Sequence, residues 1–139
     1  RGRHSMSAKA DLVEEWILKA DHDLGVAGLT LEHGPEFIDA ICFHSQQAVE
    51  KYLKGYLTYL DVIFRKSHSL VYLLDLLDDK EEVSQEVYEM AEKLEGYAVE
   101  LRYPDSRHNP TLEEAREAHE IAGYFRAMVL EKISKGQIK

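Results

Sequence analysis

Hydrophobic residues return every three or four positions along almost the whole chain, and no stretch sustains the two-residue alternation of a half-buried strand. From about Ala8 to Leu31 the apolar positions are Leu12, Val13, Trp16, Ile17, Ala20, Leu24, Ala27 and Leu31, one face of a long helix. Gly25 and Gly28 on that helix allow another backbone to approach, and His33-Gly34-Pro35 ends it. A second helix, about Glu36 to Asp61, carries Ile38, Ile41, Ala48, Val49, Tyr52, Leu53, Tyr56 and Leu60 on one broad arc. The short loop between the two predicts an antiparallel hairpin.

A polar connector, Arg65-Lys66-Ser67-His68, leads into Leu70 to Leu77, a stretch too continuously apolar to be one-sided and so expected to pack on both sides. A fourth helix is expected from about Glu81 to Leu101, with Val83, Val87, Met90, Leu94, Ala98 and Leu101 inward. Pro104 stops it, since a proline disfavours helix in the residue before it and has no amide to donate. Thr111 and Glu114 form a capping-box pattern that opens a last helix reaching about Ser134, with Ala118, Ile121, Ala122, Phe125, Met128, Val129 and Ile133 inward. The expectation is an all-α fold, an up-and-down bundle of four long helices plus one short extra helix.

At 139 residues the chain suits one domain with one sizeable core. Arg1 to Ser5 (RGRHS) before Met6 resembles a cloning remnant, leaving residues 6–139 as the single domain. No apolar run reaches the roughly 18 to 20 residues of a membrane span, and no signal core precedes a cleavage site, so a cytoplasmic protein is expected. The single Cys42 excludes an intrachain disulfide and fits a buried small hydrophobe better than a nucleophile.

With 17 Lys and Arg against 26 Asp and Glu, the formal charge is −9, which excludes a broadly basic nucleic-acid footprint. Much of the acidity is local. Residues 75 to 95 hold nine acids against Lys80 and Lys93, so a neutral or basic cleft elsewhere is compatible with the total.

Two segments carry candidate chemistry. In Arg102 to His108 (RYPDSRH), an arginine in the last turn of one helix precedes a histidine just ahead of the next helix. A guanidinium fork, an imidazole that titrates near neutrality and free backbone amides at Thr111 to Glu114 together suit a phosphodiester. The plainer alternative is a C-cap arginine and a surface histidine. In Cys42 to Lys54 (CFHSQQAVEKYLK), His44, Gln47, Lys51 and Lys54 fall within about 80° on a helical wheel, away from the apolar arc. That donor-rich stripe suits phosphates or a partner, or is a solvated face on which Glu50 and Lys54 pair to support the helix. No two histidines outside the remnant have paired-ligand spacing, and no phosphate loop GxxxxGK[ST] occurs, so neither a metal nor a cofactor is expected. Asp21-His22-Asp23 is expected to be exposed surface, because consecutive helix residues do not share a face. Trp16, Tyr52, Tyr56 and Phe125 fall at core spacing and are expected to pack rather than to stack on bases.

The run FHSQQAVEKYLK, then His68-Ser69-Leu70, then Tyr97 followed by LRYPD together resemble HEPN domains, over about Ala8 to Ile133. The resemblance implies an up-and-down helical bundle and commonly a homodimer. In many members an Arg and a His separated by four to six residues form a metal-independent endoribonuclease site across the dimer interface. Arg102 and His108, five residues apart, match those positions. On that resemblance His108 acts as acid or base on the RNA 2′-hydroxyl or leaving oxygen, and Arg102 stabilises charge developing on the phosphate. A minimal nucleotidyltransferase is implied as antitoxin or partner. Tyr103-Pro104 departs from the polar residue that follows the arginine in many active members, and Pro110 stands where silenced members carry a modified tyrosine. The RYPD form also resembles members that are non-catalytic nucleotide-binding or adaptor subunits.

Overall fold

A computed structural model describes residues 2–100 and 109–138, with side chains for 8–98 and 109–136. Five helices follow in order: α1 Gly2–His33, α2 Ile38–Tyr59, α3 Leu70–Asp78, α4 Gln85–Glu100 and α5 Leu112–Ile138. Among the described residues there is no strand, and the architecture is the all-α bundle of four long helices with one short helix that the periodicity predicts.

α2 is the central helix and packs against all four others. It is therefore buried almost all round, from Ile41 and Cys42 to the unbroken run Tyr52–Leu57. α1 and α2 form the expected antiparallel hairpin: Lys9 meets Asp61 near one end, and Asp23 meets Lys51 towards the other. Midway, a Cβ on Gly55 would stand 3.1 Å from Trp16 Cβ and 3.3 Å from Ile17 Cδ1, so this glycine sets how closely the two helices approach. Gly25 does not have the role expected of it, since nothing lies within 4 Å of its Cβ position. Gly28 faces His119 of α5.

The seven-residue spacing of Val13, Ala20 and Ala27 faces the core, whereas Leu12, expected inward, lies on the uncovered flank and is 48% exposed. α2 ends at Tyr59, two residues short of the expected boundary. Asp61 takes φ 61°, Asp61 N–H donates to Thr58 O, and Val62 N–H donates to Leu57 O at 2.9 Å. This is a Schellman closure with aspartate in the left-handed position that glycine normally fills. Ser69 caps α3 by accepting from Tyr72 N–H at 3.1 Å, and Leu70, Leu73, Leu74 and Leu77 are buried while Val71, Tyr72 and Leu76 are half-buried, the two-sided packing expected. α4 begins at Gln85 rather than near Glu81, because Ser84 Oγ accepts from Val87 N–H. Val87, Ala91, Leu94 and Ala98 point inward, opposite Ala118, Ala122, Phe125 and Val129 of α5. Leu101 and Pro104 lie outside the described residues.

Candidate functional site

The polar stripe of α2 does not stand in solvent. Because α1 covers that side of α2, His44 Nδ1 lies 2.8 Å from Asp23 Oδ1, and Lys51 Nζ donates to Asp23 Oδ2 at 2.5 Å. Asp23 is 5% exposed, so one buried carboxylate holds two cationic or donor side chains across the helix pair. If Nδ1 carries the ring proton, Nε2 is left as the acceptor. Gln47 donates to the Gln46 side chain, and Lys54 lies in the interior, 5% exposed. The structure thus brings His44 and Lys51 together and separates both from Lys54. Lys51 and Lys54 each face a carboxylate, so the stripe carries little uncompensated positive charge.

Lys54 belongs to a second polar cluster, under the connector before α3. Glu50, 3% exposed, accepts from Lys54 Nζ at 2.9 Å and lies 3.1 Å from His68 Nδ1, and Gln46 Nε2 donates to the His68 carbonyl. The Glu50–Lys54 pair does support the helix, as its four-residue spacing suggested, but in the interior. Lys54 Nζ also lies 5.6 Å above the Trp16 ring. Glu95 of α4 closes the cluster by accepting from Leu70 N–H at the start of α3. Burial pushes the Glu95 carboxyl above its usual range, with Glu92 and Glu50 adding to the effect and the Leu70 and Val71 amides opposing it.

Asp21-His22-Asp23 corrects the expectation of plain surface. His22 is exposed, but the two aspartates flank it on either side of the α1–α2 seam. Asp21 Oδ1 accepts from Tyr52 OH at 2.5 Å and from Arg126 Nε of α5 at 2.9 Å. Burial, followed by the Asp21 hydrogen bond, pushes the Tyr52 phenol up and keeps it a donor. The overlooked signal was register: Ala20, Asp23 and Ala27 occupy one stripe, so Asp23 sits on the core-facing line. Trp16 is half-buried, and Tyr52, Tyr56 and Phe125 are buried in the core as expected.

The approach to the Arg–His segment is held firmly at both ends. Tyr97 OH donates to Glu117 Oε1 at 2.5 Å, and Lys93 Nζ lies 3.1 Å from Glu117 Oε2, tying the end of α4 to the start of α5. The capping box forms as expected: Thr111 N–H donates to Glu114 Oε1 at 2.9 Å and Glu114 N–H to Thr111 Oγ1 at 3.1 Å. This amends the expected anion site, because two of the four amides counted as free are used by the cap itself, which also sets a carboxylate at the positive end of α5. Cys42 is buried, and burial first, then Glu114 and Asp39, pushes its thiol up to about 11, which suits an inert core residue. Arg102 and His108, the expected catalytic pair, lie outside the described residues. Among the described residues no helix is long and apolar enough to cross a membrane.

The model of the HEPN domain family matches residues 13–133. The chain belongs to the HEPN family. Two solved structures agree with this assignment. The crystal structure of TT1696 from Thermus thermophilus is 32% identical, covers 86% of this chain and 97% of its own, and superposes with a TM-score of 0.75. The crystal structure of ST0689, described as an archaeal HEPN homologue, is 28% identical over 87% of this chain and 97% of its own, with a TM-score of 0.70. Comparison with curated proteins finds no match. Within this HEPN domain, the α2 run and His68-Ser69 that carried the resemblance have mainly architectural contacts: Gln46, Glu50 and Lys54 hold the α3 connector, and His44 and Lys51 hold α1.

Proposed function

We propose that this HEPN protein acts in the cytoplasm on RNA as a metal-independent endoribonuclease, with Arg102 and His108 forming its site across a homodimer. The observation that carries the reading is the intact Arg-x5-His spacing in a HEPN chain, on a connection flanked by the Tyr97–Glu117–Lys93 clamp and the Thr111–Glu114 cap. With Lys51 and Lys54 each facing a carboxylate, the stripe supports RNA contact less than it supports helix packing, so the phosphate falls to the Arg102 guanidinium. His108 takes the 2′-hydroxyl proton as that oxygen attacks the phosphorus and returns it to the 5′-oxygen as the P–O5′ bond breaks, so the leaving group departs as an alcohol and a 2′,3′-cyclic phosphate remains. A resident metal or cofactor has no part in this scheme.

Purified protein incubated with tRNA and total RNA in excess EDTA tests it, beside Arg102→Ala and His108→Ala. Cyclic-phosphate ends formed in EDTA and lost in both variants support the reading. A requirement for divalent metal, or full activity after His108→Ala, refutes it. The second reading is a non-catalytic nucleotide-binding or adaptor subunit that partners a minimal nucleotidyltransferase. It is favoured by Tyr103-Pro104 and by the acidic face of α4, which would repel RNA. Calorimetry without nucleotide binding, together with no complex with a nucleotidyltransferase, counts against it.

A further inference from the structure

The face formed by α4 and α5 combines an apolar floor with an acidic edge. Val83, in the loop that leads into α4, and Val87 and Met90 on its first turns supply apolar side chains, and each follows a glutamate, Glu82, Glu86 and Glu89, that is exposed. Two depressions lie between the helices. One, of about 310 Å³, is bordered by Glu86, Met90 and Ile121, and the other, of about 250 Å³, by Val87, Tyr124 and Met128. Tyr124 is 47% exposed and Met90 and Met128 are half-buried, so apolar surface is offered along two turns of helix.

The charges bordering this groove are unbalanced. Lys93 is held by Glu117 and Lys132 by Glu81, while Glu82, Glu86 and Glu89 have no cationic partner among the described residues. RNA and anionic membrane are disfavoured by like charge, and a second copy would bring the same three carboxylates to the seam. We infer that the α4–α5 groove docks a cationic amphipathic helix of a protein partner, its apolar residues filling the two depressions and its lysines or arginines facing Glu82, Glu86 and Glu89. An apolar groove under a like-charged edge is the arrangement that reads such a helix through anchors three, four and seven residues apart. The inference stands apart from the ribonuclease reading, because it uses neither Arg102 nor His108.

The probe is a fluorescein-labelled Leu/Lys peptide of about 16 residues with leucines at helical spacing. One control peptide has every Lys replaced by Glu, and another has the leucines replaced by Gln. Fluorescence polarisation with the full chain is expected to show salt-sensitive binding of the Leu/Lys peptide alone. Affinity should fall about ten-fold or more in the triple variant Glu82→Gln, Glu86→Gln, Glu89→Gln, whose circular dichroism should stay unchanged because all three sites are exposed. Amide shifts of the parent protein should map to 83–93 and 117–128. Equal binding of the Gln control, undiminished binding by the triple variant, or shifts elsewhere overturns the proposal. So does sedimentation showing that the peptide binds by splitting a dimer, since a second copy would then own the groove.

Discussion

Replacing Asp23 with Asn keeps the side chain's volume and removes its charge, leaving Lys51 and His44 facing an amide in the α1–α2 seam. The Asp23 side chain is 8% exposed, Lys51 25% and His44 29%. Breaking a fully buried pair costs about 3–5 kcal/mol, and a fully exposed pair contributes about 0–1 kcal/mol. A buried carboxylate with partly wetted partners falls between these limits, and we expect Asp23→Asn to cost roughly 2–3 kcal/mol. For a chain of this length that corresponds to a fall in Tm of about 6–12 °C. Urea unfolding followed by circular dichroism measures it directly, and a cycle with Lys51→Met isolates the pairwise part, expected at about 1–2 kcal/mol. A loss below about 0.5 kcal/mol, or a coupling energy near zero, would show that the stripe is ordinary wet surface and that the electrostatic account of the hairpin is wrong.

Gly55→Ala should destabilise by about 1–2 kcal/mol although alanine is the better helix former, because Trp16 Cβ is fixed to its backbone and cannot swing aside; an unchanged urea midpoint would contradict this. Cys42 should react with a thiol reagent at pH 8 only as fast as the protein unfolds, given a thiol pushed up to about 11, and rapid native-state labelling would refute its burial. The folded Glu95 carboxyl lies above its unfolded value, so the native state binds the proton more tightly and this group's contribution to stability declines as pH rises above 4.5. Glu95→Gln keeps an oxygen for the Leu70 amide and removes the buried charge. It should therefore match or exceed the parent's stability at pH 7 and flatten that decline, and a loss of more than about 1 kcal/mol at pH 7 would overturn the assignment.

Five helices and most inward positions were legible because burial follows the 3.6-residue period, and the Thr111–Glu114 cap because it is a purely local pattern. The errors have one source. A wheel treats a helix as having one buried side, whereas α2 is enclosed by four neighbours, so Lys54 and Glu50 are interior and His44 and Lys51 face another helix. Asp23 was overlooked because the tripeptide was judged by whether its three residues share a face, whereas the register of Asp23 with Ala20 and Ala27 marks the seam. Leu12 erred in the other direction, since an apolar residue one position off the contact line finds nothing to cover it.

The contact between Gln46, Glu50 and the His68 connector bears on what kinship reports. These side chains are among those by which the chain is recognised, yet what they determine is where the third helix starts. A family assignment that rests on Gln46, Glu50 and His68 therefore reports how the chain folds and leaves its chemistry to be tested separately. Kinship and reactivity are thus separate questions to put to this one sequence.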